Sequence, residues 1–276
     1  QGLNLSDDKA DAIKTYLDEL DGERPLGTTH EGATAGGLVF KRKIELYKTS
    51  EYREAMGWCN YMRDKRKMGV MIGFPGSGKT TILREFAKVA RGVIYIDCWP
   101  TMRLGDMIRL LASELSISVK GGQHDKIMQL VAELSNRQDV MLVFDEAENL
   151  RTWNITKFEV LRKLWDNTGT PTILCGTPKL EDMLTVGGGR DNLAQLYRRK
   201  YEIRLGGIGT EEVLGILHDY DIAAGAADKL VKIATDVKHG GMGNFVEILD
   251  MALEAADGGT IDEAIVKGAM QYKMMY

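Results

Sequence analysis

The 276-residue chain holds only three cysteines, Cys59, Cys98 and Cys175, and they lie far apart. That excludes a disulfide framework and a cysteine-based zinc finger, and it fits a reducing cytosol. Four histidines, His30, His124, His218 and His239, show no metal-ligand spacing, which argues against a zinc enzyme. No apolar run approaches the roughly 18 residues of a membrane span. No charged start followed by an apolar stretch marks a signal peptide. A cytoplasmic protein without a membrane partner is therefore expected. Internal repeats and low-complexity tracts are absent too. The chain opens on Gln1 rather than Met, so further sequence is expected upstream.

Hydrophobic residues make up 44% and charged residues 28%, enough for a packed core and too apolar for global disorder. The length suits one large domain with a small attachment. The net charge of −4 hides an asymmetry. Residues 1–40 carry −5, residues 41–70 carry +5 and residues 151–210 carry +4. A modestly acidic chain can thus present basic patches to a polyanion, although a charge run also serves as a solvated face.

Residues 6–20 read as a short amphipathic helix with Ser6 as N-cap, and 21–37 as a Gly- and Thr-rich linker. Residues 1–40 form an N-terminal helix and linker in this division. The segment 51–67 reads as a helix with a basic end. Strands and helices then alternate. Strands are expected at Met68–Ile72, Val93–Asp97, Val140–Phe144, Thr172–Cys175 and Tyr201–Leu205. Helices are expected at Thr80–Ala90, Leu104–Leu115, His124–Ser135 and Lys157–Trp165. This alternation means an α/β domain over 41–208, a parallel sheet with helices on both faces. From Gly209 the signal is helical only, over 210–219, 224–238, 243–256 and 260–272, and predicts a small C-terminal helical lid domain over 209–276.

Gly73-Phe74-Pro75-Gly76-Ser77-Gly78-Lys79-Thr80 matches the phosphate-loop pattern in full, between a strand and a helix. The glycines let the backbone turn so that N–H groups face phosphate oxygens, and the helix N-terminus adds a favourable dipole. The expected nucleotide-binding set is Gly73, Pro75, Gly76, Ser77, Gly78, Lys79, Thr80 and Thr81. Lys79 reaches the β- and γ-phosphates of ATP, and Thr80 ligates Mg²⁺. A second half-site is an apolar strand ending in acid, and Val140–Phe144 followed by Asp145 and Glu146 supplies it. Asp145 is expected to hold Mg²⁺, and Glu146 to act as general base on the attacking water. Asp145-Glu146-Ala147-Glu148 resembles a helicase box, but such helicases need two sheet domains and this chain holds one.

Strand Thr172–Cys175 ends at Gly176-Thr177. Thr177 is a candidate to orient the water between Glu146 and the γ-phosphate; it can also cap the helix near Lys179. Arg198 and Arg199, just before the last strand, are candidates for an arginine finger toward a neighbouring subunit, or a basic helix end.

With these residues in place the chain resembles the AAA+ ATPases (P-loop NTPases), and more narrowly the target-selecting regulators of DNA transposition, the group of the phage Mu B protein with TnsC-type and IstB-type relatives. The resemblance covers about residues 44–256. It is carried by Gly73–Thr80, Leu142–Leu150, Thr172–Leu180, Gly187–Gly189 and Ala194–Arg199. It implies an ATPase that assembles with itself as a filament or ring on double-stranded DNA, recruits or activates a transposase, and comes apart on hydrolysis. It places the first sensor on Thr177 and the finger on Arg198 or Arg199. The group often has an Arg near the start of a C-terminal helix, reaching the nucleotide; here Asn244 stands at that place, without charge, which implies slow turnover. Residues 6–20 then read as the end of an N-terminal helix-turn-helix domain.

Expected DNA contacts are Thr101, Arg103, Arg109 and Lys120, after strand Val93–Asp97, with the runs Lys41–Lys43 and Arg63–Lys67 as further candidates. Trp99 and Trp153 are expected in core or subunit packing rather than stacked on bases. Three other functions compete. A helicase loader shares the fold, a small-molecule phosphotransferase shares the phosphate loop, and a nucleotide switch has less use for Glu146.

Overall fold

The computed structural model describes residues 46–152, 155–185 and 200–275. The expected helix over 6–20 and the linker over 21–37 lie outside them. The chain divides into two compact units. One runs Glu54–Gly206; the other joins the helices from Gly207 onward to the stretch ending at Arg53.

The elements that build the first unit are, in order, α1 (Ser50–Asp64), β1 (Met68–Gly73), α2 (Lys79–Val89), β2 (Val93–Asp97), α3 (Leu104–Glu114), α4 (Gln123–Asn136), β3 (Met141–Asp145), α5 (Thr156–Thr168), β4 (Thr172–Gly176), α6 (Pro178–Thr185) and β5 (Lys200–Leu205). A 3-10 turn, Ala147–Arg151, follows β3. The strands form one parallel sheet in the order β2-β3-β4-β1-β5. Expected and observed ends differ by a few residues where pairing decides them. Asp145 closes β3 inside the ladder, opposite Asp97, because β2 extends that far.

Both faces of the sheet are covered, which is why β1, β3 and β4 read as continuous apolar runs and are buried along their whole length. Alternate residues serve alternate faces. Val70, Ile72, Ile96, Leu142, Phe144 and Leu174 share a core with Leu111 of α3, Leu130 of α4 and Leu161 of α5. On the opposite face Gly69 lies under Trp58 and Met62 of α1, so closely that a Cβ there would stand 2.5 Å from the indole.

Strand order matters for function. The chain leaves β1 and crosses over β4 and β3 to reach β2. Open α/β sheets bind ligands at the carboxyl ends of their strands beside such a break. Register brings Gly73, Gly176 and the end of β3 to that one edge: Ile72 pairs with Gly176, and Phe144 with Leu174.

The second unit contains α7 (Thr210–Leu217), α8 (Ala224–Thr235), α9 (Gly241–Ala256) and α10 (Glu263–Met275). Val213, Leu230, Phe245, Leu249 and Val266 form its core. The stretch up to Arg53, with the first residues of α1, belongs here: the Tyr47 and Tyr220 hydroxyls meet at 2.8 Å, and the Ser50 hydroxyl donates to Glu212 at 3.0 Å. α8 stops at Thr235, short of the expected 238, and a 3-10 turn, Val237–His239, precedes α9. Gly240, at φ 105°, makes the bend that no L side chain adopts comfortably. Among the described residues no helix is long and apolar enough to cross a membrane.

Candidate nucleotide site

The phosphate loop fills the gap between the last residue of β1 and the first of α2. Gly76 and Gly78 stand at φ 81° and 87°, the left-handed region that their lack of Cβ permits. The Ser77 N–H donates to the Phe74 carbonyl at 3.1 Å and closes the turn. Ser77 and Lys79 are buried, whereas Pro75, Gly76 and Thr81 are exposed. The Lys79 ammonium donates to the Gly73 and Phe74 carbonyls, both at 2.8 Å. It thus sits across the loop it is expected to serve.

Asp145 is 1% exposed, and a buried carboxylate is costly without donors. It has three. The Thr80 hydroxyl donates to Oδ2 at 2.7 Å, the Tyr95 phenol donates to the same oxygen at 2.7 Å, and the Glu146 N–H donates to Oδ1 at 3.0 Å. The loop and the acid strand, 65 residues apart in sequence, therefore meet through one hydrogen bond. Tyr95 was missed by sequence reasoning. Its signal was a lone phenol inside the apolar strand that pairs with the acid strand. Burial, and then its bond to Asp145, push its pKa well above the ordinary phenol range. The Arg84 guanidinium lies 5.7 Å from the Tyr95 ring centroid and pairs with Asp97 at 3.4 Å.

Glu146 has φ 52°, a left-handed conformation that is uncommon outside glycine and recurrent at functional sites. This bend turns the chain out of β3 and leaves the carboxyl exposed at the sheet edge. Its pKa is raised by partial loss of water and by the Glu148 and Asp145 carboxylates, with the Lys79 ammonium opposing.

Thr177 follows β4, which lies between β3 and β1, so it stands between the acids and the loop. Its hydroxyl donates to Glu148 Oε1 at 2.5 Å, and its N–H donates to the same oxygen at 3.1 Å. The hydroxyl is thus directed at Glu148, while the Thr177 carbonyl accepts the Leu180 N–H as α6 begins. Glu148 also escaped the sequence reading, which saw it only as part of a helicase-like box. Among the described residues its buried Oε2 has no hydrogen-bond partner.

The remaining candidates are dispersed. Thr101, Arg103 and Lys120 are exposed. Arg109 is exposed and paired with Asp106, its neighbour one turn back. Trp99 is 41% exposed, so of its two expected environments the core is excluded, while an exposed indole suits subunit packing. In the run Arg63–Lys67, Arg63 pairs with Asp64, Arg66 donates to the Gln138 and Thr168 carbonyls, and Lys67 lies over the Tyr201 ring. Asn244 belongs to the second unit, where its amide donates to the His239 carbonyl at 2.5 Å. Arg198, Arg199, Gly187–Gly189, Lys41–Lys43 and Trp153 lie outside the described residues. The three cysteines are buried and free, and burial pushes their thiols up, out of the reactive range.

The donor set fits a hard cation with a phosphate ligand. Among the described residues no three His, Cys, Asp or Glu side chains gather to hold a metal ion. Thr80 and Asp145 offer two oxygens, the share of a Mg²⁺ shell that proteins supply when substrate phosphates and water supply the rest.

Residues 62–184 match the family model described as AAA domain. The Walker-type ATPase paby2304 of Pyrococcus abyssi is similar in structure, with TM-score 0.57 and 17% identity over 84% of this chain and 73% of that one. The Aeropyrum pernix Orc1 protein, solved in complex with DNA, has TM-score 0.55 and 15% identity over 82% of this chain. This chain spans 65% of the Orc1 length. Domain III of the Thermotoga maritima replication initiation protein DnaA has TM-score 0.51 and 14% identity, over 80% of this chain and 92% of that domain. The fold is that of the P-loop AAA+ ATPases. No curated protein matches the sequence. Within the AAA+ fold, the loop at Gly73–Thr80 and the strand end at Asp145 occupy the edge where strand order breaks.

Proposed function

We propose that the chain is an ATP-hydrolysing regulator of DNA transposition that assembles on duplex DNA with ATP bound and leaves it after hydrolysis. The observation that carries the hydrolytic part is the Thr80–Asp145 hydrogen bond at 2.7 Å, with Glu146 one residue beyond. When bound, Mg²⁺ would be held by Thr80 and Asp145 and would neutralise phosphate charge. Lys79 would exchange its loop carbonyls for phosphate oxygens. Glu146 would take a proton from water as the water oxygen bonds the γ-phosphorus. The bond from that phosphorus to the β,γ-bridging oxygen breaks, giving ADP and phosphate. Glu146→Gln is expected to bind ATP and lose hydrolysis by at least about 10²-fold. Lys79→Ala is expected to lose nucleotide binding. Normal turnover in the Gln variant would remove the base assignment.

The DNA part rests on charge, on exposure and on the sequence resemblance. Residues 54–206 carry 23 Lys and Arg against 18 Asp and Glu, a net of +5. Residues 207–276 carry five against twelve, a net of −7. A polyanion is therefore met by the α/β unit, not by the C-terminal helices. Arg103 and Lys120 on that unit are exposed. Fluorescence anisotropy on a labelled duplex across a salt series tests this. Arg103→Ala with Lys120→Ala should weaken binding and lower the slope of log K against log salt by about two. An unchanged slope would move the DNA surface elsewhere. Arg198 or Arg199 as an arginine finger and Asn244 as a nucleotide contact remain part of the proposal. A transposase is the partner it requires.

A further inference from the structure

Thr177 and Glu148 form a contact that the hydrolytic scheme does not use. Glu148 sits in the 3-10 turn after β3 and Thr177 follows β4. One oxygen, Oε1, accepts both Thr177 donors, the hydroxyl at 2.5 Å and the N–H at 3.1 Å. The other oxygen, Oε2, is buried with no hydrogen-bond partner among the described residues and lies against Gly176, where a Cβ would stand 2.1 Å from it. A partly buried carboxylate with one buried, unpartnered oxygen costs free energy, so its presence here calls for a reason.

A threonine hydroxyl has one proton to donate and two lone pairs. Here the proton is committed to a carboxylate. Toward the nucleotide edge Oγ1 can therefore only accept. The bond to a charged acceptor also makes Oγ1 a better acceptor itself. A hydroxyl of that polarity cannot donate to a γ-phosphate oxygen. It can hold a hydrogen of the attacking water while the other hydrogen goes to Glu146.

We propose that Glu148 is a positioning residue, which fixes Thr177 Oγ1 as an acceptor for the attacking water. The inference rests on the hydrolytic reading above. No bond to Thr177 or Glu148 forms or breaks; the proton leaving water still ends on Glu146. The Thr177 N–H sets the geometry, because it holds the same Glu148 oxygen that receives the hydroxyl.

The test is a double-mutant cycle on full-length protein with duplex DNA, reading kcat and KM for Mg-ATP. The affinity of a fluorescent ADP analogue is measured in parallel. Thr177→Val and Glu148→Ala are each expected to lower kcat roughly tenfold to a hundredfold, the cost of a misplaced reactant. KM and analogue affinity should stay within about threefold, a split that loss of packing would not give. The double variant should be no slower than the slower single one, because both remove the same function. Thr177→Ser keeps the hydroxyl and should recover most of the loss. Losses that multiply in the double variant, or Glu148→Ala within twofold of the parent kcat, would overturn the proposal. If Glu148→Ala does not fold, Glu148→Gln replaces it. The Thr177 N–H then holds the carboxamide oxygen in place, so its kcat should exceed that of Thr177→Val, and multiplying losses would again overturn the proposal. No hydrolysis by the parent protein, or normal hydrolysis by Glu146→Gln, would overturn the functional reading and this inference together.

Discussion

Glu146 is strained in backbone and crowded in charge. Its φ of 52° is unfavourable for a side chain of its size, and its carboxylate faces Asp145 and Glu148. The consequence for stability has a definite sign. A carboxyl whose pKa is raised in the folded state binds more protons folded than unfolded, so stability falls as pH rises through that range. Glu146→Gln removes the repulsion. In Mg-free buffer without nucleotide it should melt at a higher temperature than the parent at pH 7.5, and the gap should shrink as the pH is lowered. A lower melting point at pH 7.5 would mean that the repulsion is already relieved. Tyr95 gives the complementary case. Tyr95→Phe removes one of three donors from buried Asp145 and should cost about 1–3 kcal/mol in denaturant unfolding. It should also raise the Mg²⁺ concentration needed for half-maximal hydrolysis, because Asp145 loses its anchor. An unchanged Mg²⁺ requirement would leave Tyr95 a purely structural role.

At the scale of elements, two glycines carry close approaches. Gly69 in β1 lets Trp58 of α1 lie on the sheet, and Gly176 in β4 leaves room for Glu148. Gly69→Ala should destabilise by about 1–3 kcal/mol through overpacking, measured by urea unfolding. It should leave hydrolysis per folded molecule unaltered. Gly176→Ala should destabilise similarly and also slow hydrolysis, because its Cβ would displace the Glu148 carboxylate. The elements themselves were legible. Strands with continuous apolar runs and a complete phosphate loop leave few alternatives, and the strand–loop–helix order at Gly73–Thr80 was read directly. Less legible were contacts set by register. Nothing in the spacing of Tyr95 and Asp145 says that β2 pairs with β3 so as to bring a phenol to that carboxylate. Nothing in Asp145-Glu146-Ala147-Glu148 says that a tight 3-10 turn returns Glu148 to Thr177. Whether Trp99 packs in the core or faces outward was not legible, because apolar residues in loops carry no periodicity from which to read burial.

At the scale of the molecule, a basic α/β unit bearing the nucleotide loop is followed by a helical unit of opposite charge. The proposed function requires that nucleotide and DNA binding be coupled. Electron microscopy of the protein with plain duplex DNA tests this coupling, comparing ATP, a non-hydrolysable analogue and ADP, and adding Glu146→Gln with ATP. Filaments or rings on DNA are expected with ATP and the analogue, persistent assemblies with Glu146→Gln, and none with ADP. DNA left bare under every nucleotide, or coated equally under all of them, would contradict it.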